Sequence, residues 1–379
     1  MTIVFTGGGS GGHFYPLVAI AEAIRDTVHE ERLVEPRLYY LASEPFDAPS
    51  LFENGIVYIK IPAGKVRRYF SLLNFTGFFA TFIGFAIAII TLYRLYPDVV
   101  VSKGGYPSVP VTMAARFLRI PVIIHESDSK PGRANLAAAR FARRIAITFP
   151  ESMSYFPKKT REKIAQTGIP VRKELLRLER EGAREFLHLE KDVPTILVLG
   201  GSLGAKRIND VVLSALPELV RFANIIHQTG PKLFAEVEST AKVALEGSEH
   251  RERYHPFNYL SALALRQAAG AADLVVSRAG SGTITEIALW KKPVILVPIP
   301  EAVSHDQRTN AYAYARSGGA VVLEETNLTP NLLVSEVRRI VGDLELAKSM
   351  AERGAAFANP DAARVLAEEA LSIALSHES

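Results

Sequence analysis

The sequence contains no cysteine, and this absence excludes several kinds of chemistry at once. A chain without thiols forms no disulfide, binds no metal through thiolates and has no cysteine nucleophile. With 48% hydrophobic and 22% charged residues, its 379 residues form a globular protein of about two domains. Met1 and Thr2 run directly into an apolar strand, so we expect no secretory signal. The composition fits a reducing, cytosolic setting.

Several catalytic signatures are also missing. The chain has neither a Walker A sequence nor a Gly-x-Ser-x-Gly elbow, and His125-Glu126 lacks the second histidine of a zinc motif. It has no Asp-x-Asp pair, with which many metal-dependent sugar-nucleotide transferases hold a divalent ion. We therefore expect neither a metal nor a cofactor. A net charge of +4 is too small to indicate a nucleic-acid partner.

Acidic residues are absent from one segment, Gly55–Pro97, although that segment contains five basic residues. Its charge is +5, so the remainder of the chain sums to −1. The same segment contains the longest uncharged run, the 25 residues from Tyr69 to Tyr93. Basic residues beside a long apolar run are typical of a membrane-binding element.

That run is long enough to span a bilayer, but it occupies a helix position between two predicted strands of one domain. We predict a helix that docks on an anionic membrane surface through an apolar face. Packing of the helix into the core is the alternative interpretation. The residues expected to meet the membrane are Lys65, Arg67, Arg68, Phe75, Phe78, Phe79 and Phe82.

Short apolar runs alternate with helical patterns along the chain, which indicates parallel sheets covered by helices on both faces. The strands predicted in the first half are Thr2–Thr6, Arg37–Ala42, Val57–Ile61, Val99–Ser102, Val122–His125 and Ile145–Thr148. Those predicted in the second half are Thr195–Gly200, Ile225–Gln228, Leu274–Ser277 and Val294–Val297.

The second half begins like the first: TIVFTGGGSGG at Thr2 and TILVLGGSLGA at Thr195 share a strand, a glycine loop and a helix start. This repeat predicts two doubly wound, Rossmann-like α/β domains that face each other across a cleft. We place them at residues 1–165 and 166–358. A C-terminal helix at 361–375 is expected to complete the first domain.

The first glycine loop leads into a helix whose N-terminus presents free N–H groups to an anion. The spacing of Gly7, Gly9 and Gly12 also satisfies the dinucleotide fingerprint, and Glu44 is a candidate ribose ligand. A turn that needs glycine only for packing is the plainer alternative.

His13 stands at the helix start, where the helix dipole disfavours its charged form, so it is a candidate general base. A buried structural histidine is the alternative.

Two further glycine turns follow strands in the second half. The loop from Gly200 to Ala205 offers another anion site, and RAGSGTITE places Glu286 where it could bind ribose hydroxyls or serve a helix cap. Polar residues of HDQRTN follow the strand VILV, where they could bind a sugar or form a solvated loop. Two phosphate-type loops exceed the needs of one NAD site.

Taken in order, these motifs resemble the MurG family of bacterial peptidoglycan glycosyltransferases over nearly the whole chain. The resemblance rests on GGGSGGHFYPLVAIAEAI, SKGGYPSVP, HESDSKPGRAN, GIPVR, GGSLGA, RAGSGTITE and HDQRTNA. It implies the two-domain GT-B fold and metal-independent, inverting transfer of N-acetylglucosamine from UDP-N-acetylglucosamine. The acceptor would be lipid I, undecaprenyl-diphospho-muramoyl-pentapeptide, on the cytoplasmic face of the bacterial membrane, and the product would be lipid II.

The resemblance also implies roles for single residues. His13 is the preferred base and Glu126 its rival, while Gly104, Gly105 and Tyr106 would bind the acceptor. Arg172 and Ser202 would meet the donor diphosphate, and Phe257 would lie beside the uracil. The remaining donor contacts would be Ser10, Gly11, Gly12, Asp128, Asn135, Ser281, Gly282, Thr283, Ile284, Thr285, Glu286 and Gln307.

The chain departs from the family pattern at a few positions. Ser10 replaces the usual threonine, and Ser127-Asp128 replaces the usual Gln-Asn. A carboxylate beside a diphosphate is unfavourable unless it faces a sugar hydroxyl.

Three other functions remain open on the residues alone: a UDP-sugar epimerase of the same fold, an NAD-dependent oxidoreductase, and a non-catalytic donor-binding membrane subunit.

Overall fold

The computed structural model describes residues 1–65, 73–201, 204–302 and 306–376. The chain forms two compact units, one of Met1–Arg172 with Asn359–Ser379 and the other of Lys173–Ala358. The division falls after Arg172 rather than after residue 165, where the sequence pattern places it. A strand at 164–166 still belongs to the first sheet, and the N–H groups of Thr167 and Gly168 bond to the Ile147 carbonyl beside it.

The first unit contains a seven-stranded sheet in which every pair of neighbours is parallel. Its strand order is β3-β2-β1-β4-β5-β6-β7, so the direction of winding reverses between β1 and β4. The strands are β1 (Thr2–Thr6), β2 (Arg37–Ala42), β3 (Ile56–Lys60), β4 (Val99–Ser102), β5 (Val122–Glu126), β6 (Arg144–Ile147) and β7 (Ile164–Gln166).

Helices cover this sheet because every residue of β1, β4 and β5 is buried and needs apolar partners on both faces. The helices are α1 (Gly11–Glu30), α2 (Ala48–Glu53), α3 (Leu73–Leu95), α4 (Ser108–Phe117), α5 (Arg133–Ala138) and, from the C-terminal return of the chain, α15 (Ala362–Leu375). Two short 3₁₀ helices follow β6, at Pro150–Tyr155 and Lys158–Lys163. Helix α15 packs Leu366, Ala370 and Leu371 into the core shared with α1.

The second unit repeats the plan with a six-stranded parallel sheet of order β10-β9-β8-β11-β12-β13. Its strands are β8 (Thr195–Leu199), β9 (Asn224–Gln228), β10 (Tyr254–Phe257), β11 (Leu274–Ser277), β12 (Val294–Leu296) and β13 (Ala320–Val322). Its helices are α6 (Lys173–Leu176), α7 (Ala183–Phe186), α8 (Lys206–Leu219), α9 (Phe234–Ala244), α10 (Ala262–Ala271), α11 (Ser281–Trp290), α12 (Gln307–Ala315), α13 (Pro330–Val341) and α14 (Leu344–Ala355), with a 3₁₀ turn at Arg251–Arg253.

Helix α3 buries only a narrow face. Ala88 and Leu92 are fully buried against the sheet, whereas most of its phenylalanines and isoleucines are exposed. The stretch Phe75–Leu95 is long and apolar enough to cross a membrane by length and composition alone. The helix approaches the residues after β3 closely, because Gly84 lies against the Pro62 carbonyl and the Gly64 N–H donates to Thr81 Oγ1 (3.1 Å).

This close approach predicts different effects for alanine at two glycines of α3. A Cβ atom at Gly84 would overlap the Pro62 carbonyl oxygen, whereas one at Gly77 would meet the Lys65 carbonyl oxygen at an ordinary 3.4 Å. We expect Gly84→Ala to lower the free energy of unfolding in urea by about 2 kcal/mol. The matched control Gly77→Ala is expected to be neutral or to stabilise by up to about 1 kcal/mol. Equal stabilities of the two variants would contradict this packing.

Candidate active site

Three loops of the first unit meet at the carboxyl edge of its sheet, around the reversal between β1 and β4. Ligands of open α/β sheets bind at this edge. The loops follow β1 (Gly7–Ser10), β4 (Lys103–Tyr106) and β5 (Ser127–Gly132). The loop after β4 contains the predicted acceptor residues Gly104, Gly105 and Tyr106. The two candidates for the base adjoin the other loops, His13 in the first turn of α1 and Glu126 at the end of β5.

The first two loops pack directly on each other, and this packing requires glycine. Gly8 has φ +130° and Gly105 has φ +80°, and a Cβ atom at Gly105 would lie 2.8 Å from the Gly8 carbonyl oxygen. Tyr40 fixes the first loop by donating its hydroxyl to the Gly7 carbonyl oxygen (2.8 Å). Beyond this packed part, Gly11 and Gly12 begin α1 with N–H groups that no helix carbonyl can accept. The loop thus combines the packing role with a possible anion site.

His13 lies in the first turn of α1 and is held by its neighbour. Its Nδ1 is 2.8 Å from Ser10 Oγ. Burial, and after it the charge of Lys103, lower the pKa of His13 to about 4 against an opposing effect of Asp128. The imidazole is therefore neutral at pH 7. Because Ser10 occupies Nδ1, Nε2 is the ring nitrogen left to meet a substrate.

Glu126 is enclosed by internal hydrogen-bond donors. Its Oε1 accepts from the Asp128 N–H (3.0 Å), and its Oε2 accepts from the Gly132 N–H (3.0 Å) and Asn135 Nδ2 (2.9 Å). Burial raises the pKa of this carboxyl, and the Asp128 charge adds to the effect. These contacts make Glu126 the residue that shapes the loop after β5.

Asn135 and His125 complete the packing beneath this loop. Asn135 Nδ2 also donates to the His125 carbonyl (3.1 Å), and its Oδ1 would lie only 2.7 Å from a Cβ atom at Gly104. His125 Nε2 lies 2.7 Å from the Gly168 carbonyl oxygen, and burial holds the pKa of this ring well below its usual value. Asn135 is buried, so the structure brings it against Gly104 rather than out to solvent. The half-buried Asp128 and Tyr106 stand at the surface of the same edge.

Arg172, where the chain leaves the first unit, lies beside the start of α1. Its guanidinium carbon is 4.1 Å from the centre of the Tyr15 ring, a cation–π contact. Tyr15 in turn donates its hydroxyl to Asp47 Oδ2 (3.2 Å). The structure thus fixes the orientation of this cation on the unit that carries His13.

In the second unit, contacts with residues at and just after the end of β9 hold the glycine loop that follows β8. Gly204 has φ +81°, and any Cβ atom there would overlap the Thr229 carbonyl oxygen. Gln228 donates through Nε2 to the Gly201 carbonyl (3.1 Å) and accepts the Leu260 N–H at Oε1 (3.1 Å). The predicted diphosphate ligand Ser202 lies outside the described residues.

A buried chain of polar side chains, which the sequence patterns above do not predict, supports the same loop. His227 Nδ1 lies 3.0 Å from the Tyr254 hydroxyl oxygen, and His227 Nε2 lies 3.0 Å from Asn209 Oδ1. Asn209 in turn donates through Nδ2 to the Thr229 carbonyl oxygen (3.0 Å). Burial lowers the pKa of His227 to about 3. The polar pair His227-Gln228 at the end of an apolar strand was the available signal.

Phe257 ends the edge strand β10. Its carbonyl oxygen accepts from the Thr229 N–H (2.9 Å) and from Thr229 Oγ1 (3.2 Å). Its half-buried ring packs against the core. The carbonyl of Phe257 is therefore already engaged within the unit.

The third glycine turn starts α11, and its residues divide into two groups. Ile284 and Thr285 point into the core, and Thr285 Oγ1 donates to the Ser281 carbonyl (3.0 Å), so these two could meet a ligand only through their backbone. Gly282, Thr283 and Glu286 are half-buried and lie at the accessible side of the turn.

Gln307, the first residue of α12, joins two loops of the carboxyl edge. Its Oε1 accepts from the Ala279 N–H (3.2 Å) and the Ile299 N–H (3.3 Å), so its amide nitrogen remains as a donor. Arg278 forms an ion pair with Glu325 (2.5 Å) nearby.

Throughout the portions that the structure describes, no group of three or more His, Asp or Glu side chains is arranged to hold a metal ion.

Two all-parallel α/β units, each with a glycine loop after the first strand of its repeat, define a glycosyltransferase of the GT-B fold. Family models describe residues 3–147 as a glycosyltransferase family 28 N-terminal domain and residues 195–366 as a glycosyltransferase family 28 C-terminal domain. The chain belongs to glycosyltransferase family 28.

Curated relatives cover nearly the whole chain. A UDP-N-acetylglucosamine–N-acetylmuramyl-(pentapeptide) pyrophosphoryl-undecaprenol N-acetylglucosamine transferase of Treponema denticola is 36% identical over 97% of this chain and 96% of its own length. A protein of the same name, numbered 2, from Bacillus anthracis is 39% identical over 92% of this chain and 93% of its own.

Solved structures agree on the fold. The crystal structure of Acinetobacter baumannii MurG matches with a TM-score of 0.72 and 25% identity, covering 98% of this chain and 99% of that one. A UDP-GlcNAc 2-epimerase from Neisseria meningitidis, bound to UDP-GlcNAc, matches with a TM-score of 0.70 at 14% identity, covering 98% and 100%. The second likeness concerns the fold alone.

Proposed function

We propose that this protein transfers N-acetylglucosamine from UDP-N-acetylglucosamine to lipid I, giving the lipid II used in peptidoglycan synthesis. One observation carries the proposal: relatives named for this reaction are 36–39% identical over more than nine tenths of both chains. The carboxyl edge of the first sheet has a neutral histidine beside a helix start, and the carboxyl edge of the second sheet has two glycine turns at helix starts. These features supply what the reaction needs.

The donor nucleotide is assigned to the second domain. The turn at Ser281–Glu286 holds the uridine, with Glu286 on the ribose hydroxyls and the backbone of Ile284 and Thr285 facing the ligand. Phe257 lies beside the uracil, and the amide nitrogen of Gln307 donates to the sugar. Ile284 and Thr285 are assigned backbone contacts because their side chains are buried in the core. Gln307 is assigned a contact through its amide nitrogen because its Oε1 already accepts two hydrogen bonds.

The first domain carries the acceptor and the base. The acceptor 4-hydroxyl attacks the anomeric carbon, its proton passes to His13 Nε2, and the bond from that carbon to UDP breaks with inversion. Gly104, Gly105 and Tyr106 hold the acceptor, while Ser10, Gly11 and Gly12 offer the α1 N-terminus to negative charge. Arg172 and the backbone near Ser202 stabilise the departing diphosphate.

Glu126 is a positioning residue in this mechanism. Its two oxygens accept three internal hydrogen bonds and its side chain is buried, so a substrate hydroxyl has little access to it. With Asn135 it fixes the loop that presents Asp128, whose carboxylate we assign to a sugar hydroxyl rather than to a diphosphate. His13 lacks such enclosure and has one ring nitrogen directed away from its Ser10 contact.

A membrane surface is the proposed location, on the cytoplasmic face of the cell membrane. Phe78, Phe79 and Phe82 on α3 are 67%, 52% and 62% exposed, and Phe75 and the basic Lys65 are exposed beside them. Arg67 and Arg68 lie outside the described residues. Helix α3 joins β3 to β4 of one sheet and buries Ala88 and Leu92 there, which supports docking of the helix on the membrane rather than crossing.

A transfer assay with UDP-N-acetylglucosamine and lipid I tests the function. We expect lipid II and UDP in equal amounts, and no consumption of donor when lipid I is omitted. Conversion of the donor without acceptor would instead identify an epimerase. Donor binding without any turnover would identify a non-catalytic subunit, and a thermal shift with NAD but not UDP would identify an oxidoreductase.

The membrane proposal predicts a selective loss in the triple variant Phe78→Ser, Phe79→Ser, Phe82→Ser. Because these rings are exposed, the variant should fold normally and retain transfer to a short-chain, water-soluble acceptor. Its co-sedimentation with phosphatidylglycerol vesicles should fall about 10-fold or more. The control Phe52→Ser, Phe186→Ser, Leu344→Ser removes apolar side chains that are exposed elsewhere and should bind like the wild type. Unchanged sedimentation of the α3 variant would refute docking through this face.

A further inference from the structure

Lys103 is a buried lysine at the centre of the first carboxyl edge. It follows β4 directly, its side chain is 1% exposed, and its N–H donates to the Thr6 carbonyl oxygen of β1 (2.9 Å). Its Cβ lies so near the first glycine loop that a Cβ atom at Gly7 would be 3.0 Å away. The lysine therefore lies directly under the loop that leads to His13.

The ammonium group of Lys103 reaches across to the loop after β5. Its Nζ donates to Ser127 Oγ at 2.6 Å, and Ser127 is itself buried. A buried ammonium is costly unless opposite charge compensates it. The carboxylates of Glu126 and Asp128, on either side of Ser127 in the chain, provide that charge.

We propose that Lys103 is a positioning residue for the transfer reaction, which ties the loop after β5 to the glycine loop and supplies the positive charge beside His13 and two carboxylates. The proposal rests on the transferase function proposed above and adds a residue to its machinery. It also gives a role to the charge of Asp128, since that carboxylate and the lysine compensate each other.

The titration of the groups around Lys103 supports this role. His13 comes from α1, His125 and Glu126 from β5, Asp128 from the loop after β5, and Tyr40 from β2 packs under the same glycine loop. Burial lowers the pKa of Lys103 to about 8, although Glu126 and Asp128 raise it. At pH 7 the lysine is thus charged and the histidine neutral, and the charge of Lys103 helps to keep the histidine neutral.

The test measures kcat/KM for transfer to lipid I against pH, since this parameter reports ionisations of the free enzyme. The wild type should lose kcat/KM above about pH 8, as Lys103 loses its proton. In Lys103→Met this alkaline limb should disappear and the acid limb should move upward by about one pH unit, because His13 loses a neighbouring positive charge. At pH 7 kcat/KM should fall about 10-fold or more, with UDP binding retained. Lys158→Met, an exposed lysine of the same domain, is the control and should keep both limbs.

A second variant separates charge from packing. Lys103→Met/Asp128→Asn removes the lysine and the carboxylate that it compensates, so it should be more active than Lys103→Met and the two changes should be non-additive. Unmoved pH limbs in Lys103→Met, or additive losses in the double variant, would overturn the proposal. A wild type that shows no transfer would refute the proposed function instead, so the two failures are distinguishable.

Discussion

The first domain depends on charges buried together at the end of three parallel strands. Lys103, directly after β4, donates to Ser127 after β5, and the neighbouring Glu126 accepts three internal hydrogen bonds. Removing Lys103 would leave the buried Glu126 without the opposite charge beside it, and removing either carboxylate would reduce the charge that compensates the lysine. The glycine loop after β1 lies on this cluster and leads into α1, where burial and then the charge of Lys103 lower the pKa of the proposed base, His13.

The second domain reaches a similar result with neutral groups. Its glycine loop rests on Gln228 and on the chain from Tyr254 through His227 to Asn209, in which burial keeps the histidine uncharged. A neutral support suits a loop proposed to receive a diphosphate, because it adds no negative charge beneath the ligand. The two glycine loops thus share a sequence pattern but differ in what lies below them, in keeping with the acceptor and donor roles proposed for the two domains.

Local patterns predicted the parallel sheets and the three glycine turns, because a buried strand followed by glycines and a helix start is visible in a few consecutive residues. The same patterns do not predict β7, β10 and β13, which are three or four residues long, and β10 contains Pro256. Lys103 was missed because a lysine after a strand ordinarily reaches solvent. Its burial depends on Gly7 and Ser127, which lie far from it in the sequence and near it only in the fold.

The central claim is that this fold holds His13 as an uncharged imidazole with a pKa far below that of a free histidine. Histidine-labelled NMR measures this directly, with His13→Gln identifying its signal among the nine histidines. The account predicts that the His13 ring stays neutral through pH 7 and titrates near pH 4 in the ligand-free protein. A His13 signal that titrates at pH 6.5 or above would contradict it, because the ring would then be substantially protonated where the proposed base must accept a proton.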